Sequence, residues 1–155
     1  MTEDTKRGLK LGRAMVMFLL AYVAVTILGT ALSMGIGAAG HYPETAEPMK
    51  NQAYLIAEQF LQVLNLLVWG VFSWLYFRRP SGMLTVRQEA LRLGVFWLAV
   101  ALPVDFVGFV LIKNPISLSP HDFYVVQFPW IYLIYVAVFM SPLCYVMLVD
   151  RRALA

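Results

Sequence analysis

The chain has 155 residues, of which 61% are hydrophobic and 14% are charged. Soluble domains average roughly 45–50% apolar and about 25% charged residues. A soluble domain of this length could not cover so much apolar surface, so the composition excludes that class. The net charge of +3 comes from basic residues beside apolar segments, where lipid headgroups are the usual partners, and we therefore expect no nucleic-acid binding.

The apolar residues form four long segments with little sequence left over for a soluble domain. Each reaches the ~20 residues that a helix needs to cross ~30 Å of hydrocarbon. The third helix is expected to begin before its apolar part, because Thr85 and Gln88 have the spacing of a capping box. We predict a single all-α membrane domain over 1–155, with four antiparallel transmembrane helices. The predicted spans are 14–39, 53–77, 86–112 and 128–149.

Basic residues alternate between the two sides of these spans. Ten of them precede the first span, lie between the second span and the apolar part of the third, or follow the fourth. The other two connections hold only Lys50 and Lys113. Because basic residues concentrate in cytoplasmic connections, both termini are predicted to lie in the cytoplasm. For a prokaryotic source, the chain is then a multi-pass protein of the cytoplasmic (inner) membrane, with the lipid bilayer as its first partner.

Small residues recur along the first span. Gly29, Ser33 and Gly37 are four residues apart, which places them on one face of a helix. Such small-residue strips let membrane helices approach closely. The strip is expected to pack against another span of this chain, and packing against a second copy is the alternative.

Aromatic residues lie near the ends of the spans. Trp130 and Tyr132 are expected near one membrane interface, and Trp74, Tyr76 and Trp97 near the other. Tryptophan and tyrosine are enriched at both interfaces, because one end of the ring system is apolar and the other polar. We therefore predict aromatic belts and assign these residues no further role.

Two acidic residues lie inside the predicted spans, Glu58 in the second and Asp105 in the third. Ionisable groups at membrane depth are costly, so each is a candidate functional residue. At ~1.5 Å per residue, both lie about 8–10 Å from the same, outer, face of the membrane. Two carboxyls close together at low dielectric cannot both stay charged, which suits a proton or cation site. The alternative is that they share a proton and simply hold the helices together.

Other polar residues are expected to join these acids. Gln62 and Asn65 follow Glu58 on one helical stripe, and they are predicted to orient the carboxyls. Residues of the first and fourth spans fall at a similar depth, so the four spans are expected to surround one polar pocket that opens on the outer side. The apolar inner halves would close this pocket. The supporting residues outside the second span are Thr30, Ser33 and Tyr135.

Proline lies within two of the spans. Pro103 precedes Asp105 by two residues, and Pro142 lies in the fourth span directly after Ser141. Proline removes a backbone hydrogen bond inside a helix, so we expect a kink at each position. Two interrupted helices are compatible with a moving part and equally with static packing.

The sequence leaves two functional hypotheses. The first is a transport-related protein, a proton- or cation-coupled carrier or channel that acts as a homo-oligomer. The second is an accessory or immunity-type subunit that binds another membrane protein through the small-residue strip and the polar stripe. Enzyme activity is not favoured and no catalytic residue is assigned. His41 and His121 both lie in connections, so no metal site or cofactor is predicted.

Overall fold

The computed structural model describes residues 9–43, 50–79, 85–113 and 117–153. Within these ranges the chain is helical, and no strand occurs in them. A π-helical segment continues α3, and a second one precedes α4. The α-helices are α1 (Leu11–Gly40), α2 (Gln52–Phe77), α3 (Val86–Asp105) and α4 (Trp130–Ala153). The two π-helical segments are Phe106–Leu111 and Asp122–Val126.

Each of the four helical segments contains a stretch that is long and apolar enough to cross a membrane. This confirms the all-helical, four-span prediction and supports a multi-pass membrane protein. The observed helix ends differ from the predicted ones by at most four residues. The candidate spans are Leu11–Gly40, Gln52–Phe77, Val86–Leu111 and Trp130–Val149.

Polar side chains begin two of the helices. The Asn51 side chain accepts a hydrogen bond from the backbone N–H of Tyr54 at 3.1 Å, and this begins α2. The Thr85 hydroxyl accepts one from the N–H of Gln88 at 3.4 Å, which confirms the predicted start of α3. Both side chains satisfy backbone donors that have no partner within the helix.

Helix α1 packs along α2 through small residues. A Cβ added to Gly29 would lie 2.9 Å from Leu61 Cδ2, and one added to Gly37 would lie 3.5 Å from Ala53 Cβ. The small-residue strip therefore lies against α2 of the same chain. We call this end of the bundle, where Gly37 contacts Ala53, the Gly37 end.

The backbones of helices α3 and α4 approach closely at Gly94. A Cβ added to Gly94 would lie 2.4 Å from the backbone oxygen of Phe139, so only glycine fits there without movement. Helix α4 also packs against α2, whereas α1 contacts α3 over a shorter length. The four helices thus enclose a common interior.

The opposite end of the bundle, called here the Arg13 end, is held by polar contacts. Arg13 donates hydrogen bonds of 2.6 Å and 2.7 Å to the carbonyls of Leu75 and Arg79. Its guanidinium lies 5.4 Å from the centre of the Tyr76 ring, whose hydroxyl donates to Glu89 at 2.9 Å. The start of α1 thereby caps carbonyls at the end of α2, where a helix favours positive charge.

Tyr76 and Trp97, two residues of the predicted aromatic belt, lie in the interior of the bundle. Tyr76 is 1% exposed and Trp97 is 0% exposed, whereas Trp74 is 40% exposed. Trp97 donates its ring N–H to the carbonyl of Ala14 at 2.9 Å, which satisfies its polar atom inside the protein. Both rings therefore belong to the core, because the helix face on which each lies points inward.

Both internal prolines lie within helices that continue past them. Pro142 cannot donate to the carbonyl of Val138, and the Ser141 hydroxyl bonds that carbonyl at 3.3 Å. Pro103 is followed by regular α-helix as far as Asp105, after which the helix widens into its π-helical segment. Such π-helical turns are frequent at functional sites.

Candidate functional site

A cavity of about 460 Å³ lies between the four helices, toward the Gly37 end. All four helices contribute to its wall, together with parts of the connection between α3 and α4. Glu58 and Asp105 both line it, although Glu58 is only 6% exposed and Asp105 only 7%. The structure thus brings together the two acids that the sequence singles out.

Asp105 is surrounded by tyrosines. Tyr22 of α1 donates a hydrogen bond of 2.5 Å to Asp105 Oδ1. The Tyr135 hydroxyl of α4 lies beside the same carboxyl. It is buried and falls short of full hydrogen-bond geometry with any described residue. Tyr124, outside the spans, is also a neighbour, and burial together with the Asp105 charge raises the pKa of its hydroxyl.

Glu58 has a different environment. No hydrogen bond or ion pair joins its carboxyl to another residue of the described ranges. Tyr54, one turn earlier on α2, accepts a hydrogen bond from the Gln127 side chain at 2.6 Å and is not bonded to Glu58. A buried polar group normally has a partner, so the Glu58 carboxyl is suited to a group that enters the cavity.

The other polar residues of α2 do not bond the carboxyls. Asn65 donates to the carbonyl of Leu61 at 2.8 Å and accepts from the Trp69 ring N–H at 3.2 Å. Gln62 lies outside the cavity wall and donates to the carbonyl of Trp130 at 3.2 Å. Asn65 therefore lines the cavity with its polar atoms satisfied by α2 itself, and Gln62 joins α2 to the start of α4.

Helix α1 forms one side of the cavity with Thr26, Thr30 and Ser33. The hydroxyls of Thr26 and Thr30 donate to carbonyls of their own helix at 2.9 Å and 2.8 Å. Both threonines line the cavity and are also exposed, so the cavity is open beside α1. Thr26 lies near the middle of this 30-residue helix, so the opening lies well inside the apolar part of the bundle.

An aromatic layer closes the cavity toward the Arg13 end. Trp69 lines the cavity, and the rings of Phe18 and Trp97 pack behind it at centroid distances of 5.5 Å and 5.2 Å. All three side chains are at most 2% exposed. The cavity is therefore closed toward the Arg13 end of the bundle.

Sequence reasoning missed Tyr22, Tyr54 and Gln127 as residues of the site. Tyr22 shares a helical stripe with Thr26 and Ser33, so the polar face of α1 provided a signal. Gln127 lies in a connection, where no periodic pattern indicates which way a side chain points.

The cavity thus offers two inequivalent carboxyls in mainly apolar surroundings. Asp105 is bonded to Tyr22, and the Glu58 carboxyl has no partner in the part of the chain that the structure describes. Such a pair can hold a proton on one group while the other binds a positive charge. Within the described ranges, no group of three or more possible metal ligands occurs. No family model, curated protein or solved structure matches the chain.

Proposed function

We propose that this chain is a small membrane carrier in which Glu58 and Asp105 form the proton or cation site. The observation that carries the proposal is the shared cavity, where one buried carboxyl is held by a tyrosine and the other has no hydrogen bond or ion pair with a described residue. Ionisable groups at membrane depth that face a cavity mark solute or proton pathways more often than lipid contacts. The carboxyl without a partner can exchange a proton for a cationic solute.

The aromatic layer favours a carrier over a channel. A channel needs a continuous polar path, whereas Phe18, Trp69 and Trp97 separate the cavity from the Arg13 end. A carrier exposes its site to one side at a time, so a cavity closed at one end fits one of its two states.

In this proposal the helices are antiparallel and both termini are cytoplasmic, so the cavity lies toward the outer side of the membrane. The distribution of basic residues supports this orientation, with ten on the proposed inner side against two on the outer side. The protein acts as a homo-oligomer. Helix α1 supports this, because 11% of its most apolar stretch is buried within the chain, against at least 33% in the other spans.

Proton movement in liposomes tests the carrier. The purified protein is reconstituted with a pH-sensitive dye inside, and gradients of Na⁺, K⁺ and ethidium, an organic cation with a large apolar surface, are imposed in turn. Wild-type protein is expected to couple proton movement to at least one gradient. Glu58→Gln and Asp105→Asn are expected to reduce that movement to the level of protein-free liposomes. Glu89→Gln is the matched control, because Glu89 is a buried acid outside the cavity wall.

Two results would contradict the carrier. One is no coupled proton movement by folded wild-type protein with any of the three cations. The other is full activity in both carboxyl variants. Size-exclusion profiles and thermal unfolding of each variant distinguish loss of activity from loss of folding.

Cysteine labelling tests the orientation. In a Cys144→Ala background, His121→Cys and Arg87→Cys place single thiols at exposed positions, one in the connection between α3 and α4 and one in the first turn of α3. A membrane-impermeant maleimide is expected to label His121→Cys in intact cells and Arg87→Cys only after permeabilisation. The reverse pattern would overturn the proposed orientation.

The accessory-subunit hypothesis has less support from the geometry. It assigned partner binding to the small-residue strip and to the polar stripe of α2. Gly29 and Gly37 instead contact α2, and Glu58 and Asn65 face the cavity. Intact-complex mass after mild extraction separates the two functions, because a carrier should consist of copies of this chain and an accessory subunit should retain a foreign one.

A further inference from the structure

We propose that the ligand of this cavity is an organic cation with an apolar body, which enters from the bilayer past α1 and places its charge on Glu58. The proposal names the substrate class of the proposed carrier and rests on that function only for transport, since binding can be measured without it. Four features of the cavity lead to it: the sign of its charges, its size and lining, the inequivalence of its acids, and its opening.

The charges of the wall select for cations. Glu58 and Asp105 are the two charged side chains that line the cavity within the described part of the chain. At low dielectric, an anion placed between them would be repelled strongly, while a single positive charge would be stabilised. A cation with a single positive charge would neutralise Glu58, the lining carboxyl that has no partner among the described residues.

The size and lining select for a bulky, apolar body. The volume of about 460 Å³ falls within the range of small-molecule sites, roughly 300–1,000 Å³. Most of the wall is carbon, contributed by residues such as Val25, Leu61, Phe109 and Ile134. A hard metal ion instead requires about six or more oxygen ligands at close range. Apolar surface on the ligand would bury this wall and add binding energy.

The two acids have different roles in ligand binding. Asp105 is tied to Tyr22 of α1, so its carboxyl is fixed in position. Glu58 makes no hydrogen bond to the side chains or backbone of the described ranges and is more than nine-tenths buried, so it is the carboxyl that a ligand charge would satisfy. The buried hydroxyl of Tyr135 offers a further polar atom on the same wall.

The opening lies beside apolar helix surface. Thr26 and Thr30 are at its edge, and their hydroxyls are already bonded to α1 carbonyls. The edge of the opening therefore has few polar groups without a hydrogen-bond partner. It lies near the middle of a helix long enough to span the membrane. An amphiphilic cation dissolved in the bilayer could enter there without first returning to water.

Equilibrium binding to purified protein in nanodiscs tests the inference, with tetraphenylphosphonium as the probe. Tetraphenylborate has the same shape and the opposite charge, and Rb⁺ has the same charge without the apolar body. Wild-type protein is expected to bind the phosphonium and neither of the other two. Glu58→Gln is expected to weaken phosphonium binding about tenfold to hundredfold, since it removes the buried negative charge that attracts the phosphonium. Glu89→Gln should bind like wild type.

A second pair of variants leaves both acids intact. Thr30→Trp is expected to obstruct the opening and weaken or slow phosphonium binding. Met34→Trp, one turn further along α1 and outside the cavity wall, is expected to have no effect. This pair keeps the inference testable if Glu58→Gln does not fold.

The outcomes separate this inference from the carrier function. Equal phosphonium binding by wild type and folded Glu58→Gln, or a preference for Rb⁺ or for the borate, would overturn the ligand class. Coupled movement of protons with Na⁺ or K⁺ but no phosphonium binding would overturn it too, and would leave the carrier standing. Phosphonium binding that depends on Glu58, without any flux, would support the ligand class and contradict the carrier.

Discussion

The hydroxyl of Tyr22 donates a hydrogen bond of 2.5 Å to the carboxyl of Asp105, and this bond joins α1 to α3 across 83 residues of sequence. Helix α1 otherwise contacts α3 over a short length. The bond therefore fixes one of the two acids and also positions the helix beside which the cavity opens.

We expect Tyr22→Phe to destabilise the protein by about 1–3 kcal/mol, because it leaves a buried carboxyl without its donor. Reversible unfolding in detergent measures the change. Tyr145→Phe is the control, because it removes a hydroxyl that has no hydrogen bond to any described residue. In a double-mutant cycle with Asp105→Asn, the two changes should be non-additive. Additive effects would contradict a direct interaction.

We expect Gly94→Ala to loosen the contact between α3 and α4. Its Cβ would lie 2.4 Å from the backbone oxygen of Phe139, which cannot move without shifting α4. Overpacking of this kind costs about 1–3 kcal/mol. Gly70→Ala is the matched control in α2, since an added Cβ there meets nothing within 4 Å. The unfolding temperatures of both variants measure the effect. Equal unfolding temperatures would contradict the close contact between Gly94 and Phe139.

We expect Arg13→Ala to weaken the Arg13 end of the bundle by about 1–3 kcal/mol, because two carbonyls of α2 lose a charged donor. Arg13→Lys should recover only part of this loss, since an ammonium lacks the planar fork that reaches both carbonyls. Amide exchange at the end of α2 measures the effect locally. Arg92→Ala, at an exposed position on α3, removes the same charge as a control. Equal protection in both alanine variants would argue against this cap.

We expect Ser141→Ala to cost about 0.5–1.5 kcal/mol, because its hydroxyl satisfies the Val138 carbonyl that Pro142 leaves free. In a Pro142→Ala background the backbone can bond this carbonyl itself, so the same serine change should cost less. Unfolding of the four proteins of this cycle gives the difference. An equal cost in both backgrounds would show that the hydroxyl acts elsewhere, for example through its 3.3 Å contact with Ser73.

The spans were predictable because hydrophobic length is a property of the chain alone. The start of α3 at Thr85 was also predictable, because a capping side chain bonds its own helix. Contacts between helices were not, since they depend on the rotation of each helix about its axis. For this reason Gln62, on the same stripe as Glu58, turns out to bond Trp130 rather than to line the cavity.

The position of Trp97 in the core could have been predicted from the residues that share its helical stripe. It lies eight residues before Asp105, on a stripe that also contains Ala90, Gly94 and Ala101, and all of these residues are buried. Small residues and an acid on one stripe indicate the face that points into the protein. Assigning Trp97 to the membrane interface by depth alone ignored this rotation. Tyr22 could have been placed by the same argument on α1.

The aromatic layer formed by Phe18, Trp69 and Trp97 also requires that any group crossing it be electrically neutral. Three apolar rings form a low-dielectric barrier, and an isolated charge pays a large dehydration penalty there. A carboxylate that carries its cation, or one that carries a proton, is neutral and avoids most of that penalty. A carrier built on this barrier would therefore change conformation when its carboxylate holds a proton or a cation. It would not change conformation when the carboxylate is unoccupied and charged. Proton transport and cation transport would then be tightly coupled, because the low dielectric of these three side chains excludes the uncompensated carboxylate. No separate gate would be required.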